Sequence, residues 1–304
     1  MNTSKQKIDI VYTWVDGSDG EFIKASQQYK NKSEDVNPER FRDMYDMLKY
    51  SLRSVEKYVP WFNKIYIVTQ RPQIPEWLDT SHPNIQIVHH DEFFENQEHL
   101  PTFNCLSIES YLHNIRDISE YFIYLNDDFL FGKTTPLELF FSPKGVISIF
   151  GTIFGENLPF RIYDRKFDII GLGLVEHCPL LIKKDYWADM MHVHPDEIEE
   201  TRSGKFRMGY HIRPPKLYKY YMLKYQGKYS RTIKLWKLKK VNMFHKITND
   251  LSYQKKRIAK LKSMKPNFYC LNDDQKDNPN MDVVELVQNY LQETYPNPSS
   301  FEKV

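Results

Sequence analysis

Tyr121-Phe122-Ile123-Tyr124-Leu125-Asn126-Asp127-Asp128, continued by Phe129-Leu130-Phe131-Gly132, is the stretch on which the fold turns. Its five consecutive apolar residues fit a strand buried on both faces, the pattern of a parallel sheet covered by helices. Asp127 and Asp128 then stand at the end of that strand. Adjacent carboxylates repel one another, so they are tolerated where rim solvent or a divalent cation offsets the charge. A solvated turn and a cation site both meet that condition, and this stretch by itself favours neither.

Upstream, Ile8-Asp9-Ile10-Val11-Tyr12-Thr13-Trp14 is β-branched and aromatic and stops at the turn-formers Asp16-Gly17-Ser18-Asp19. Between Asp43 and Tyr58, apolar residues at Tyr45, Leu48, Leu52, Val55 and Val59 predict an amphipathic helix that Pro60 ends. Strands are expected at Lys64 to Thr69 and Ile85 to His89, and a second helix through Cys105, Ile108, Leu112 and Ile115. Strand, helix, strand, strand, helix, strand predicts an α/β fold with a mainly parallel sheet flanked by helices. Ligands of such sheets bind beyond the carboxyl ends of the strands, so the Asp16–Asp19 and Asn126–Asp128 loops should share one rim. Past residue 145 the pattern loosens: a strand at Val146 to Phe150, a helix at Asp185 to Met191, and a helical basic stretch bearing Ile233, Trp236, Leu238, Val241, Phe244 and Ile247.

The 304 residues are 41% hydrophobic and 15% aromatic, enough to bury a sizeable core, and no repeat or clear linker divides them. A single domain over residues 1–304 is expected. Cys105, Cys178 and Cys270 are odd in number and widely spaced, which argues against a disulfide framework or a zinc ribbon and for a reducing compartment. The opening MNTSKQKIDIVY lacks the apolar core of a signal peptide, and no window approaches the roughly 18 uninterrupted apolar residues of a membrane span. The expectation is a cytoplasmic protein. Net charge is only +2, but residues 213–265 hold 17 Lys and Arg against one acid, Asp250, so that segment carries +16 and the rest −14.

Several short segments have chemical potential. Asp16 and Gly17 follow a strand directly, which suits a close approach of a nucleotide to the backbone as well as it suits a plain turn. Arg40 and Arg42 stand at the mouth of the first expected helix, where two guanidiniums can grip phosphate oxygens or simply be surface charge. His177, one of ten histidines, is of the type that accepts a hydroxyl proton near neutrality, and equally of the type that hydrogen-bonds in a core. Lys205-Phe206-Arg207 and Asn272-Asp273-Asp274 carry weaker signals.

Taken in this order, the segments resemble the Stealth family of sugar-phosphate transferases, which includes bacterial capsule phosphotransferases and the catalytic subunit of the lysosomal-enzyme N-acetylglucosamine-1-phosphotransferase. Ile8 to Asp19 is similar to the family's first motif, and the block from Arg40 to Gly132 to its second. Glu176 to Pro179 with Glu199 to Arg207 represents the third, and Phe268 to Asp273 the fourth. Relatives read TSxHRFR where this chain reads TRSGKFR, so a basic role carries over better to Arg207 than to Lys205.

The resemblance implies a GT-A-like nucleotide-sugar transferase fold with a basic, largely helical addition. It implies transfer of an N-acetylhexosamine or hexose 1-phosphate from a UDP-sugar to a hydroxyl of a cell-surface polysaccharide, forming a phosphodiester and releasing UMP. Under it, Asp128 and His177 activate the acceptor hydroxyl while Arg42 and Arg207 hold the diphosphate. Asp127 and Asp273, with Asn272 as second choice, bind magnesium, manganese being the alternative. Asp16 and Gly17 line the nucleotide crevice, and Asn104, Arg40 and Asn126 contact substrate.

The basic segment 213–265 interleaves its charges with Tyr218, Tyr220, Tyr221, Tyr225, Tyr229, Trp236, Phe244 and Tyr253. Such a surface can meet nucleic acid, an anionic membrane or a polyanionic acceptor, or be solvated with no partner. A polysaccharide or lipid-linked oligosaccharide acceptor, and peripheral attachment to the inner face of the bacterial plasma membrane, fit the enzyme reading. Nucleic acid fits it poorly, because carboxylates crowd the expected crevice and repel a phosphate backbone. A metal-dependent glycosyltransferase releasing UDP is the alternative within enzymes, and a nucleic-acid-binding protein acting through residues 213–265 is the alternative outside them.

Overall fold

The computed structural model describes residues 6–29, 42–153, 172–175, 177–233 and 235–303. In chain order the elements are β1 (Ile8–Thr13), α1 (Gly20–Tyr29), α2 (Met47–Tyr58), β2 (Ile65–Thr69), β3 (Ile85–His89), α3 (Cys105–Ser110), β4 (Tyr121–Asn126) and β5 (Phe129–Phe131). There follow β6 (Ile147–Ile149), β7 (Gly151–Ile153), β8 (Leu172–Leu174), β9 (Leu180–Lys183), α4 (Lys184–Met190), α5 (Pro195–Ser203) and α6 (Pro214–Tyr225). The last are β10 (Ser230–Thr232), α7 (Leu235–Val241), β11 (Asn242–Ile247), α8 (Leu251–Met264), β12 (Phe268–Asp273) and α9 (Met281–Thr294).

The main sheet has the order β3-β2-β1-β4-β9, parallel except for β9. Ile8, Ile10, Val11 and Tyr12 of β1 and Phe122, Ile123 and Leu125 of β4 are buried, as central strands covered on both faces must be. Asp9, also inside, accepts hydrogen bonds from Asn63 Nδ2 and the Ser119 amide, both at 2.7 Å, which compensates its burial. Thr13 lies opposite Asn126, so the carboxyl ends of β1 and β4 are level and the two acidic loops stand on one rim.

Asp127 and Asp128 form a two-residue turn after which the chain leaves the main sheet. β5 pairs antiparallel with β12, itself parallel to β11, and the Leu271 amide donates to Asp128 O at 3.0 Å. The acidic turn is thus the joint between two sheets, clamped from both sides. Gly132 beyond β5 is required by close approach: a Cβ there would meet Pro266 O at 2.6 Å.

Several local expectations change. Asp16–Asp19 leads into α1, where only a loop was expected. The first expected helix begins at Met47 and not Asp43, because the Asp43 carboxylate accepts the Tyr45 and Met47 amides, both at 2.9 Å, and stands outside the helix. The second expected helix breaks after Ser110 into a turn at Leu112–Asn114. Within 213–265, helix gives way to β11: Met243, His245 and Ile247 face inward while Phe244 and Lys246 face out, an alternation of two that overrides the three-residue spacing of Phe244 and Ile247. The aromatics there divide as well. Tyr218, Tyr220 and Tyr221 are core, whereas Tyr225, Tyr229, Phe244 and Tyr253 are exposed. Among the described residues, no helix is long and apolar enough to cross a membrane.

Candidate active site

A cleft of about 430 Å³ opens at the shared rim. Asn126, Asp127 and Asp128 form part of its wall, Arg42 and Asp273 another, and His177 and Arg207 a third. Residues far apart in sequence meet here because β4, β5 and β12 converge on the acidic turn.

Asp128 is the hub. Its Oδ2 accepts from the Cys270 thiol at 3.1 Å and from Asn272 Nδ2 at 3.3 Å, and its Oδ1 is buried with no hydrogen-bond partner among the described residues. Ligand-type atoms of Asp128, His177 and Cys270 all lie within 4.8 Å of one another. The His177 ring stacks on Phe244 with centroids 4.6 Å apart and meets the edge of Phe129 at 6.5 Å, so two aromatic side chains fix its plane. Burial and the neighbouring Asp128 carboxylate push the Cys270 thiol well up, so at neutral pH it is a hydrogen-bond donor and no thiolate.

Asp127 is pushed well above the usual carboxylate range by burial, and further by the charges of Asp128 and Asp43. Carboxyls crowded in this way are relieved either by a retained proton or by a cation. The donor set suits a hard divalent ion, for Asp127 and Asp128 supply oxygen and one buried oxygen of Asp128 is unpartnered. Asp273 stands differently. Its Oδ2 accepts from Arg42 Nε at 3.1 Å and Nη2 at 2.8 Å, and its Oδ1 from the Gln275 amide at 2.9 Å. Arg42 also donates to Lys276 O at 2.6 Å. Asp273 is therefore spoken for as a metal ligand unless Arg42 lets go, while Asn272 points its amide at Asp128.

The structure does not bring every predicted residue to the cleft. Asn104 is fully buried: its Oδ1 accepts the Leu106 amide, capping α3, and its Nδ2 donates to Thr201 O and Gly204 O at 2.9 and 3.2 Å. No atom is left for substrate, and the expectation of a substrate contact gives way to a structural one. Asp16 turns its Oδ1 to the amide and hydroxyl of Ser18 at 2.8 and 2.6 Å, and neither it nor Gly17 lines the cleft, though Thr13, Trp14 and Val15 do. The Lys205 ammonium is held by Glu98 O and Leu100 O, away from the cleft that Arg207 lines. Arg40 and Glu176 lie outside the described residues.

Three groups escaped the sequence reading. Cys270 sits inside the apolar run of β12, where a cysteine reads as core. Tyr124, within β4, donates its hydroxyl to Glu109 Oε1 at 2.8 Å and lies 3.0 Å from Thr13 Oγ1. Glu109 is buried, and burial raises its pKa to about 7 against the pull of Tyr124, Arg207 and Arg213. A lone acid on a helix gives no such signal; its place three residues after the buried Leu106 is the one local clue.

A parallel-dominated α/β sheet with an acidic turn at its carboxyl rim, facing arginines and a histidine, defines a class of anion-handling sites at strand ends. Regions described as Stealth protein conserved regions 1, 2 and 4 match residues 6–34, 40–149 and 259–304, more than half of the chain. The chain belongs to the Stealth family. It is 32% identical over 320 residues to an exopolysaccharide phosphotransferase, CpsY, of Mycobacterium leprae, covering 98% of this chain and 57% of that one. Over 142 residues it is 45% identical to an exopolysaccharide phosphotransferase of Streptomyces coelicolor, covering 46% and 23%. The chain spans little more than half the length of the relatives it matches throughout. Among solved structures, the galactosyltransferase LgtC in complex with donor and acceptor sugar analogs aligns at 13% identity and a TM-score of 0.47, covering 94% of this chain and 96% of that one.

Proposed function

We propose that this chain is a phosphotransferase moving a sugar 1-phosphate from a UDP-sugar to a hydroxyl of a polysaccharide or lipid-linked oligosaccharide, with release of UMP. The observation that carries the reading is the meeting of Asp128 and His177, with one Asp128 oxygen unpartnered, on the wall of a cleft that Arg42 and Arg207 also line. Transfer at phosphorus needs a base for the hydroxyl, cations for the phosphoryl charge and fixed positions for both partners. His177, oriented by Asp128 and by its two aromatic neighbours, takes the proton of the acceptor hydroxyl. The hydroxyl oxygen bonds to the sugar-bearing phosphorus as the bond to the bridging oxygen breaks, and that oxygen leaves on UMP. Arg42 and Arg207 neutralise the phosphoryl oxygens. Asp127 and Asp128 would hold magnesium, which when bound supplies further charge neutralisation on the diphosphate.

Support for an acidic, anion-rich acceptor or an anionic membrane face comes from the exposed Tyr225, Tyr229 and Tyr253 among the lysines of 213–265. Attachment of that kind weakens as salt rises. Phosphorus NMR of the protein with magnesium, UDP-N-acetylglucosamine and a capsule-type oligosaccharide tests the central claim. The expected signals are UMP and a new phosphodiester. Release of UDP instead makes the protein a glycosyltransferase and overturns the proposal.

A further inference from the structure

A thiol, an imidazole and a carboxylate converge at one point beside the cleft, a donor set different in kind from the oxygens that suit magnesium. Cys270 Sγ lies 3.1 Å from Asp128 Oδ2 and 3.8 Å from His177 Nδ1, and one ligand-type atom from each of the three lies within 4.8 Å of the others. A tetrahedral ion with bonds of about 2.3 Å to sulfur and about 2.0 to 2.2 Å to nitrogen and oxygen holds its ligand atoms roughly 3.3 to 3.6 Å apart, so the two measured separations straddle what it needs. Among the described residues, no other group of three His, Cys, Asp or Glu side chains converges in this way. The surroundings hold the ligands in place: Asn272 Nδ2 donates to Asp128 Oδ2 at 3.3 Å, and Phe244 and Phe129 fix the plane of the His177 ring. Cys270 is fully buried and does not line the cleft, whereas Asp128 and His177 do, so an ion entering from the cleft meets the carboxylate and the imidazole before the thiol. The other two cysteines stand differently. Cys178 Sγ is engaged by Val175 O and by Lys219, and Cys105 is exposed.

Thiolate and imidazole select soft or borderline ions, whereas magnesium prefers oxygen. We propose that Asp128, His177 and Cys270 bind a thiophilic divalent ion of the zinc class and that its binding switches the enzyme off; the second half rests on reading His177 as the base of the transfer. The proton that the Cys270 thiol donates to Asp128 passes to solvent as the sulfur–metal bond forms, a water leaves the ion, and no oxidation state changes. The bound ion ties up the imidazole that takes the acceptor proton. It also competes with magnesium, because Asp128 belongs to both donor sets.

Titration of cobalt(II) into the full chain tests the site, because a cobalt–thiolate bond carries a near-ultraviolet charge-transfer band that an oxygen-bound ion lacks. The band should saturate at one cobalt per chain and disappear when zinc is added. Cys270→Ser should abolish it, and Cys105→Ser should leave it in place. His177→Gln keeps the thiol and should weaken cobalt binding by about tenfold or more, the loss of one ligand; it decides the case if Cys270→Ser does not fold. No band from the unaltered chain, a band retained in Cys270→Ser or lost in Cys105→Ser, or an unchanged affinity in His177→Gln overturns the site. With donor and acceptor present, zinc should suppress UMP release and a chelator restore it, while full turnover with the site filled overturns the switch. The band is read without substrate, so the two readings fail separately: a band without UMP release from the zinc-free protein keeps the site and rejects both the reaction and its switch.

Discussion

Arg42 and Asp273, 231 residues apart, are joined by two hydrogen bonds from one guanidinium to a single carboxylate oxygen, at 3.1 and 2.8 Å. The pair ties the chain ahead of α2 to the end of β12 across the cleft. It also sets a choice, because an anion at Arg42 or a cation at Asp273 must compete with the partner already there. With side chains 20% and 9% exposed, the pair should show a coupling of about 1 to 2 kcal/mol in a double-mutant cycle of Arg42→Gln and Asp273→Asn, read by chemical denaturation. Adding UDP and magnesium should shrink that coupling; a coupling unmoved by ligand would mean that the pair only braces the fold.

Asp128→Asn and His177→Gln should each lower turnover by about a hundredfold to ten-thousandfold, the usual range for a positioned general base. Because the two act as one unit, the double variant should be little worse than either single one. Matching near-ultraviolet circular dichroism would establish that the variants are folded. A folded Asp128→Asn protein working at full rate would falsify the pairing.

For Asn104→Ala the expectation is opposite in kind. The change removes a helix cap worth about 1 kcal/mol and strands the Thr201 and Gly204 carbonyls in the interior, for a total of about 2 to 4 kcal/mol. Donor KM, measured below the lowered melting point, should stay within about twofold, well short of a lost hydrogen bond to substrate. A large rise in KM with undiminished stability would restore Asn104 to the binding site.

Glu109 makes a statement about pH. Its folded pKa of about 7 lies above the ordinary 4.5, so the folded state holds the proton more tightly. The stability it contributes is complete below about pH 4.5 and is lost as pH rises through about 7, by about 3 kcal/mol at most. Glu109→Gln, which can still accept from Tyr124, should remove that fall. Denaturation at about pH 5 and about pH 8 should therefore show the variant gaining on the parent at the higher value. Parallel pH profiles for the two proteins would mean that Glu109 is ionised throughout, held so by Arg207 and Arg213.

Much was legible along the chain because it is written in local patterns. The apolar run Tyr121 to Leu125 and the β-branched run Ile8 to Thr13 had to be two-face-buried strands, and the helical spacing from Leu48 to Val55 had to pack beside them. From their order the parallel sheet and the shared acidic rim followed, and the Stealth resemblance supplied the candidates around it. What the chain could not show by itself is which atoms those candidates spend on one another. Arg42 is occupied by Asp273, Asn104 by the loop after α5, and Asp128 by a cysteine hidden in a strand. Such pairings join residues far apart in the chain, from 97 positions for Asn104 and Thr201 to 231 for Arg42 and Asp273, and no periodicity in sequence encodes them. The conversion of 242–247 from expected helix to strand has the same origin, since β11 exists only because β12 offers it a partner. The sequence alone determined the elements, their order and the edge of the sheet where chemistry would gather. Only the tertiary structure decided which carboxylates remain open there and that His177 stands between two adjoining cavities, because burial and pairing are properties of residues brought together by the fold.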